Sequence, residues 1–183
     1  VPLSSDRASG SVITTLVVHH QGSTNDDEEY FKTANSRSSC PTWQVKAAGS
    51  VVELISPDKR PSSTGGWNDR SVAIETQNTS MAANWGISEA SKKAIAEIIV
   101  WLSKETEING VPVKFTIDRA HVVGHNETGA ATACPGPSMD LDGIVRLANE
   151  MAKPTPAPEP DTVQVERKWL QSILDKVKAL LGK

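Results

Sequence analysis

GHNETGAATACPG, residues 124–136, sets an imidazole, His125, and a thiol, Cys134, nine residues apart in a run of Gly, Ala and Thr. Far upstream, LVVHHQG, residues 16–22, places His19 and His20 after an apolar, β-branched run. Two imidazoles and one thiolate make a three-ligand set for Zn2+, one per chain, and leave a fourth position open to water. That donor count suits a hydrolytic site, because structural zinc is normally closed by four protein ligands. Spacing alone does not choose between His19 and His20, since neighbours on a strand face opposite ways.

The strand assignment follows from composition. Val12 to Val18 reads as a buried strand that delivers the two histidines at its end. Ser71 to Gln77, SVAIETQ, reads as a second strand, with Val72 and Ile74 on one phase and Glu75 and Gln77 on the other. A carboxylate in an apolar strand is costly unless it is used. Glu75 is therefore the candidate general acid or base, its alternative being an exposed strand carboxylate. Thr132, two residues before Cys134, is a candidate hydroxyl donor to a substrate carbonyl or a loop cap.

Around these segments, Trp43 to Lys46 and Val51 to Ile55 read as a hairpin with Gly49 in its turn. Asn25 to Ala34, acidic at its start and basic towards Arg37, reads as a short helix. Ser88 to Glu107 predicts the longest helix of the main domain, N-capped by Ser88 and apolar at Ile95, Ile98, Ile99 and Leu102. Ser138 to Ala152 predicts another. Lys59 to Asp69 reads as a long surface loop, and Ile117 to Val123 as an irregular segment. Strands and helices alternate, which favours an α/β class with a central mixed β-sheet flanked by helices.

The bulk numbers set limits. The chain has 183 residues, 38% hydrophobic, with a net charge of −3, so charge alone implies no nucleic-acid face. No apolar run approaches the roughly 18 residues of a membrane span, so no membrane insertion is expected. The first residues, VPLSSDRASGS, lack the pattern of a signal peptide. Cys40 reads as a buried or free thiol; a Cys40–Cys134 disulfide is the alternative to metal ligation by Cys134.

VVHH, then WNDRSVAIE, then VVGHNET…ACPG, in that order, resembles the type-2 N-acetylmuramoyl-L-alanine amidase family, the superfamily of phage endolysin amidases and peptidoglycan-recognition proteins. The resemblance covers about Val12 to Ala152. It implies zinc held by His19, His125 and Cys134, with Glu75 as the strand carboxylate and Thr132 where some members carry Lys. It leaves His20 to face substrate and places Trp67 and Asn68, in STGGWNDRS, on the loop lining a glycopeptide groove; otherwise these two are turn residues. Pro41 stands near the position of a catalytic Tyr in some members, which puts more weight on Glu75. The implied function is hydrolysis of the amide between N-acetylmuramic acid and L-Ala in bacterial peptidoglycan, by a phage or prophage endolysin made in the host cytoplasm and acting on the cell wall. A non-catalytic peptidoglycan-binding module, or an amidase for soluble muropeptides, is the alternative.

The expected domains are an N-terminal arm over 1–11, the zinc amidase domain over 12–152, a Pro-rich linker over 153–161 (KPTPAPEPD) and an amphipathic C-terminal helix over 162–183. In that helix Leu170, Leu174, Val177 and Leu181 follow a 4-3-4 spacing, a coiled-coil seam that offers weak self-association.

Overall fold

A computed structural model describes residues 4–154 and 162–180; the side chains of 162–166 and of 179–180 fall outside it. Most of the predicted linker therefore lies outside the described residues. The chain divides into two compact units, 1–152 and 153–183.

The first unit begins with β1 (Ser5–Asp6), β2 (Thr15–His20), α1 (Glu28–Lys32), β3 (Trp43–Val45), β4 (Val51–Glu53) and β5 (Lys59–Arg60). A 3-10 segment, Gly65–Arg70, leads into β6 (Ser71–Thr76) and α2 (Glu89–Leu102). Two short strands follow, β7 (Glu107–Ile108) and β8 (Val111–Pro112), then β9 (Val122–Gly124), a 3-10 turn at His125–Thr128 and α3 (Leu141–Ala152). The second unit contains α4 (Thr162–Leu180).

Five strands form the central sheet in the order β4-β3-β6-β2-β9. β3, β6, β2 and β9 run parallel, and β4 is antiparallel to β3, so the sheet is mixed, as expected. Register divides the side chains between two faces. Leu16, Val18, Val72, Ile74, Trp43, Val45 and Val122 join one apolar core with Ile95, Ile99 and Leu102 of α2 and Ile144, Val145 and Ala148 of α3. The intervening positions take the other face, and His19 lies directly beside Glu75, which lies beside Gln44. The period of two thus carries the apolar positions to the helices and the chemistry to the opposite side.

Several boundaries differ from the sequence expectation. The first long strand begins at Thr15 and runs through His19 and His20 instead of ending before them. The segment read as irregular contains β9, which pairs with β2 over Leu16 to Val18 and delivers His125. Its three residues are too few to show a period. The N-terminal arm is tied down: β1 pairs with β5, and Arg7 donates to the carbonyls of Pro57, Asp58, Asn68 and Asp69 at 2.9–3.1 Å. The loop over 59–69 is in part ordered by that contact, and Thr64 and Asn68 within it are buried. α2 ends at Leu102, five residues early, where the Ser103 amide donates to Ile99 and its hydroxyl to Val100. α3 starts at Leu141 because Asp140 takes the Gly143 amide at 2.9 Å.

Candidate functional site

The C-terminal ends of β2, β6 and β9 converge on one cavity of about 580 Å³. His19 reaches it from β2, Glu75 from β6, His125 from the turn after β9, and Cys134 from the loop beyond. Ligand atoms of His19, His125 and Cys134 lie within 4.8 Å of one another, and the two imidazole centroids are 4.4 Å apart. By register His19 shares the face of Glu75, and His19 rather than His20 stands in the group of clustered donor atoms.

Close backbone approach brings Cys134 to His125. The Asn126 amide donates to the Cys134 carbonyl at 2.8 Å, and the Thr132 hydroxyl accepts the Cys134 amide at 3.1 Å. Gly124 makes room, since a Cβ there would sit 2.7 Å from Cδ of Pro135. Glu127 takes the Gly124 amide at 2.6 Å and fixes the turn that carries His125.

A second layer orients His19. Its Nε2 lies 3.2 Å from the Thr64 hydroxyl. Asn68 in turn accepts the amides of Ser63 and Thr64 at 3.3 and 2.8 Å, shaping the loop that presents Thr64. A proton on Nε2 donated to Thr64 leaves the Nδ1 lone pair for a metal.

The electrostatics match a metal-binding cluster. Burial pushes His19 down to about 3 and lowers His125, so both imidazoles are neutral, the state that ligates. Burial, with the Glu75 charge added, pushes the Cys134 thiol up to about 12 in the absence of a cation. Burial also pushes Glu75 up to about 8. Its Oε1 lies 4.0 Å from Nδ1 of His19, and its Oε2 has no hydrogen-bond partner among the described residues. Glu75 Oε2 is left buried without a partner, and two imidazoles with one thiol form a donor set that fits zinc.

The remaining predicted residues fall differently. Thr132 lines the cavity, and its role as a loop cap leaves the hydroxyl hydrogen free. His20 lines it too, stacked on Trp85 with centroids 4.4 Å apart and its carbonyl accepting the Cys134 thiol at 3.8 Å. Asn68 lines the cavity, but its carboxamide oxygen is spent on the Thr64 loop. Trp67 is not among the lining residues; its ring lies 3.6 Å under the Arg70 guanidinium. Both cysteines are buried and free, so no disulfide links them. Sequence reading missed Trp85, Arg37 and the hydroxyl wall of Ser38, Ser39, Ser62 and Ser63. Only three-dimensional closure brings these loop residues beside the strand ends. Gln21 and Gly22, next to the histidine pair, were the part of the lining within sight of the motif.

Clustered nitrogen and sulfur donors, a carboxyl and a hydroxyl thus face one groove. Residues 9–137 match the family described as N-acetylmuramoyl-L-alanine amidase, and the chain belongs to that family. Among curated protein sequences none matches the chain. Solved structures share the fold, three of them as follows. One is AmpD, solved as a selenomethionine derivative, at 18% identity and TM-score 0.60 over 80% of this chain and 90% of that one. The amidase LysC from Clostridium intestinale aligns at 14% identity and TM-score 0.57, covering 75% and 85% of the two chains. The amidase AmiD from E. coli, solved with anhydro-N-acetylmuramic acid-L-Ala-D-gamma-Glu-L-Lys, aligns at 16% identity and TM-score 0.57, covering 88% and 72%.

Proposed function

We propose that the chain is a zinc-dependent amidase of intact peptidoglycan, an endolysin of phage or prophage origin, which cleaves the bond between the lactyl carbonyl of N-acetylmuramic acid and L-Ala. The observation that carries this reading is the cluster of His19, His125 and Cys134 beside the buried carboxyl of Glu75. Those three residues would hold the metal, and zinc supplies a Lewis acid for the carbonyl and a water acidified to a pKa of about 7.

The chain's own groups divide the remaining work. Glu75, once ionised, accepts a proton from the attacking water as its oxygen bonds to the lactyl carbon. The same carboxyl returns that proton to the nitrogen of L-Ala as the C–N bond breaks. The Thr132 hydroxyl, free to donate, faces the oxyanion that develops at the carbonyl oxygen. Thr64 holds the His19 ring, and Asn68 holds Thr64. His20 and Trp85 offer a flat wall for substrate.

Elemental analysis of the purified protein and of Cys134→Ser tests the reading, paired with release of new amino groups from purified cell wall. One zinc per chain, lost together with amine release in the variant, is the expected result. Protein without zinc that releases no amine even after zinc is added would leave a peptidoglycan-binding module. Soluble muropeptides assayed in parallel separate a wall-lytic enzyme from one confined to fragments.

A further inference from the structure

We infer that Arg37 is the stem-peptide anchor of this site: its guanidinium takes the free α-carboxylate of the residue following L-Ala, so the enzyme selects an acidic second stem residue over its amidated form. The inference rests on the amidase reading above and adds to it a substrate preference.

Four features single out Arg37. It lines the same cavity as the ligand cluster, from the loop after α1. Among the described residues it forms no ion pair with any carboxylate. Its Nη1 donates to the Gln21 carbonyl at 3.0 Å, which holds the fork beside the end of β2 while leaving most of its five N–H donors unused. It sits beside the histidine end of β2, where a Cβ on Gly22 would lie 3.7 Å from Nη2 of Arg37 and 3.8 Å from the His20 ring.

The rest of the lining supplies no rival. The nearby wall is built from the neutral hydroxyls of Ser38, Ser39, Ser62 and Ser63. Arg37 is the one permanent cation in the described lining, an exposed guanidinium at the rim of a groove whose own carboxyl lies deep.

Substrate chemistry provides a matching anion. In the stem peptide bound by AmiD, the residue after L-Ala is D-Glu linked through its γ-carboxyl, which leaves the α-carboxylate free. Two extended residues span at most about 7 Å, so a substrate with its lactyl carbonyl at the cluster keeps that carboxylate within the groove. A planar fork meets a planar carboxylate through two parallel hydrogen bonds. Amidation of the carboxylate replaces one acceptor oxygen with a donor and removes the charge, while the shape stays nearly the same.

The test compares kcat/KM for two soluble substrates, N-acetylmuramoyl-L-Ala-D-γ-Glu-L-Lys-amide and the same compound with its D-Glu α-carboxylate amidated, in the wild-type protein, Arg37→Gln and Arg37→Lys. The wild type should favour the acid by about tenfold, chiefly through KM, the size expected of a charged hydrogen bond in a groove. In R37Q the ratio should fall towards one, and in R37K it should lie between. A purely structural role for Arg37 would slow both substrates alike and leave their ratio intact. That result, or a ratio of one in the wild type, overturns the inference while leaving the amidase reading standing. Failure to cleave either substrate strikes at the amidase reading itself. Should R37Q not fold, the wild-type preference still decides, since about 1 M salt should erase it by screening.

Discussion

At Glu75, burial works against ionisation, and the consequence can be measured. Its carboxyl is pushed up to about 8 against an ordinary value of 4.5, with burial the main cause. Between those values the folded, metal-free protein holds a proton that the unfolded chain has released. The Glu75 contribution to the stability of the chelated protein should therefore fall as pH rises from about 4.5 to 8. Glu75→Gln removes that dependence. Urea unfolding of chelated protein should show the variant gaining on wild type between pH 5 and pH 8, by on the order of a few kcal/mol. An equal difference at both pH values would mean that the carboxyl is not held protonated. The same variant should retain its zinc and lose about 10²- to 10⁴-fold in kcat, as expected for removal of a general acid–base group. Glu75 was legible in the sequence because a charge between Ile74 and Thr76 in an apolar strand calls for an explanation. His19 was legible only as one of a pair, since the choice needs the register with β6. Arg37 and Trp85 were not legible, because each reaches the cavity from a loop whose path depends on the folded sheet.

Helices were located correctly, and whether an end was placed rightly depends on individual caps. Ser88 behaves as its sequence context indicates: its hydroxyl accepts the Ser91 amide at 2.9 Å. It also donates to the Ala47 carbonyl at 2.6 Å, binding the start of α2 to the turn between β3 and β4. Gly49, in that turn at φ +90°, lies against α2, where a Cβ would approach the Ala90 carbonyl to 3.0 Å. Ser88→Ala should cost about 1–2 kcal/mol in urea unfolding, the larger figure reflecting loss of both bonds. A change within about 0.3 kcal/mol would show that the cap is replaced by water. The far end of α2 was misjudged because Asn109 and Gly110 look like helix stops. Both take left-handed conformations, φ 48° and 86°, and form the tight turn of the β7–β8 hairpin, so Glu107 and Ile108 belong to a strand.

On the scale of the whole molecule, the chain divides into two units with different contents. The first contains the core, the cavity and every proposed catalytic group. Among the described residues no helix is long and apolar enough to cross a membrane. α4 nevertheless presents Trp169, Leu170, Leu174 and Val177 at 44–63% exposure, an apolar stripe on an amphipathic helix. Such a stripe is seldom left in water, and its 4-3-4 spacing fits a second copy of the same helix. With barely two heptads the association should be weak and dependent on concentration. Sedimentation equilibrium should show the average mass of the full chain rising above 19.6 kDa as concentration increases, while residues 1–152 alone stay monomeric. Leu174→Glu should return the full chain to the monomer, because it places a charge in the seam. Cleavage of soluble muropeptide per active site should be the same for the full chain and for 1–152, since no proposed catalytic group lies beyond Cys134. A full chain that remains monomeric at the highest concentration reached would refute self-association and turn attention to what else covers α4. A fall in soluble-substrate cleavage on removing 153–183 would instead show that the second unit takes part in the site.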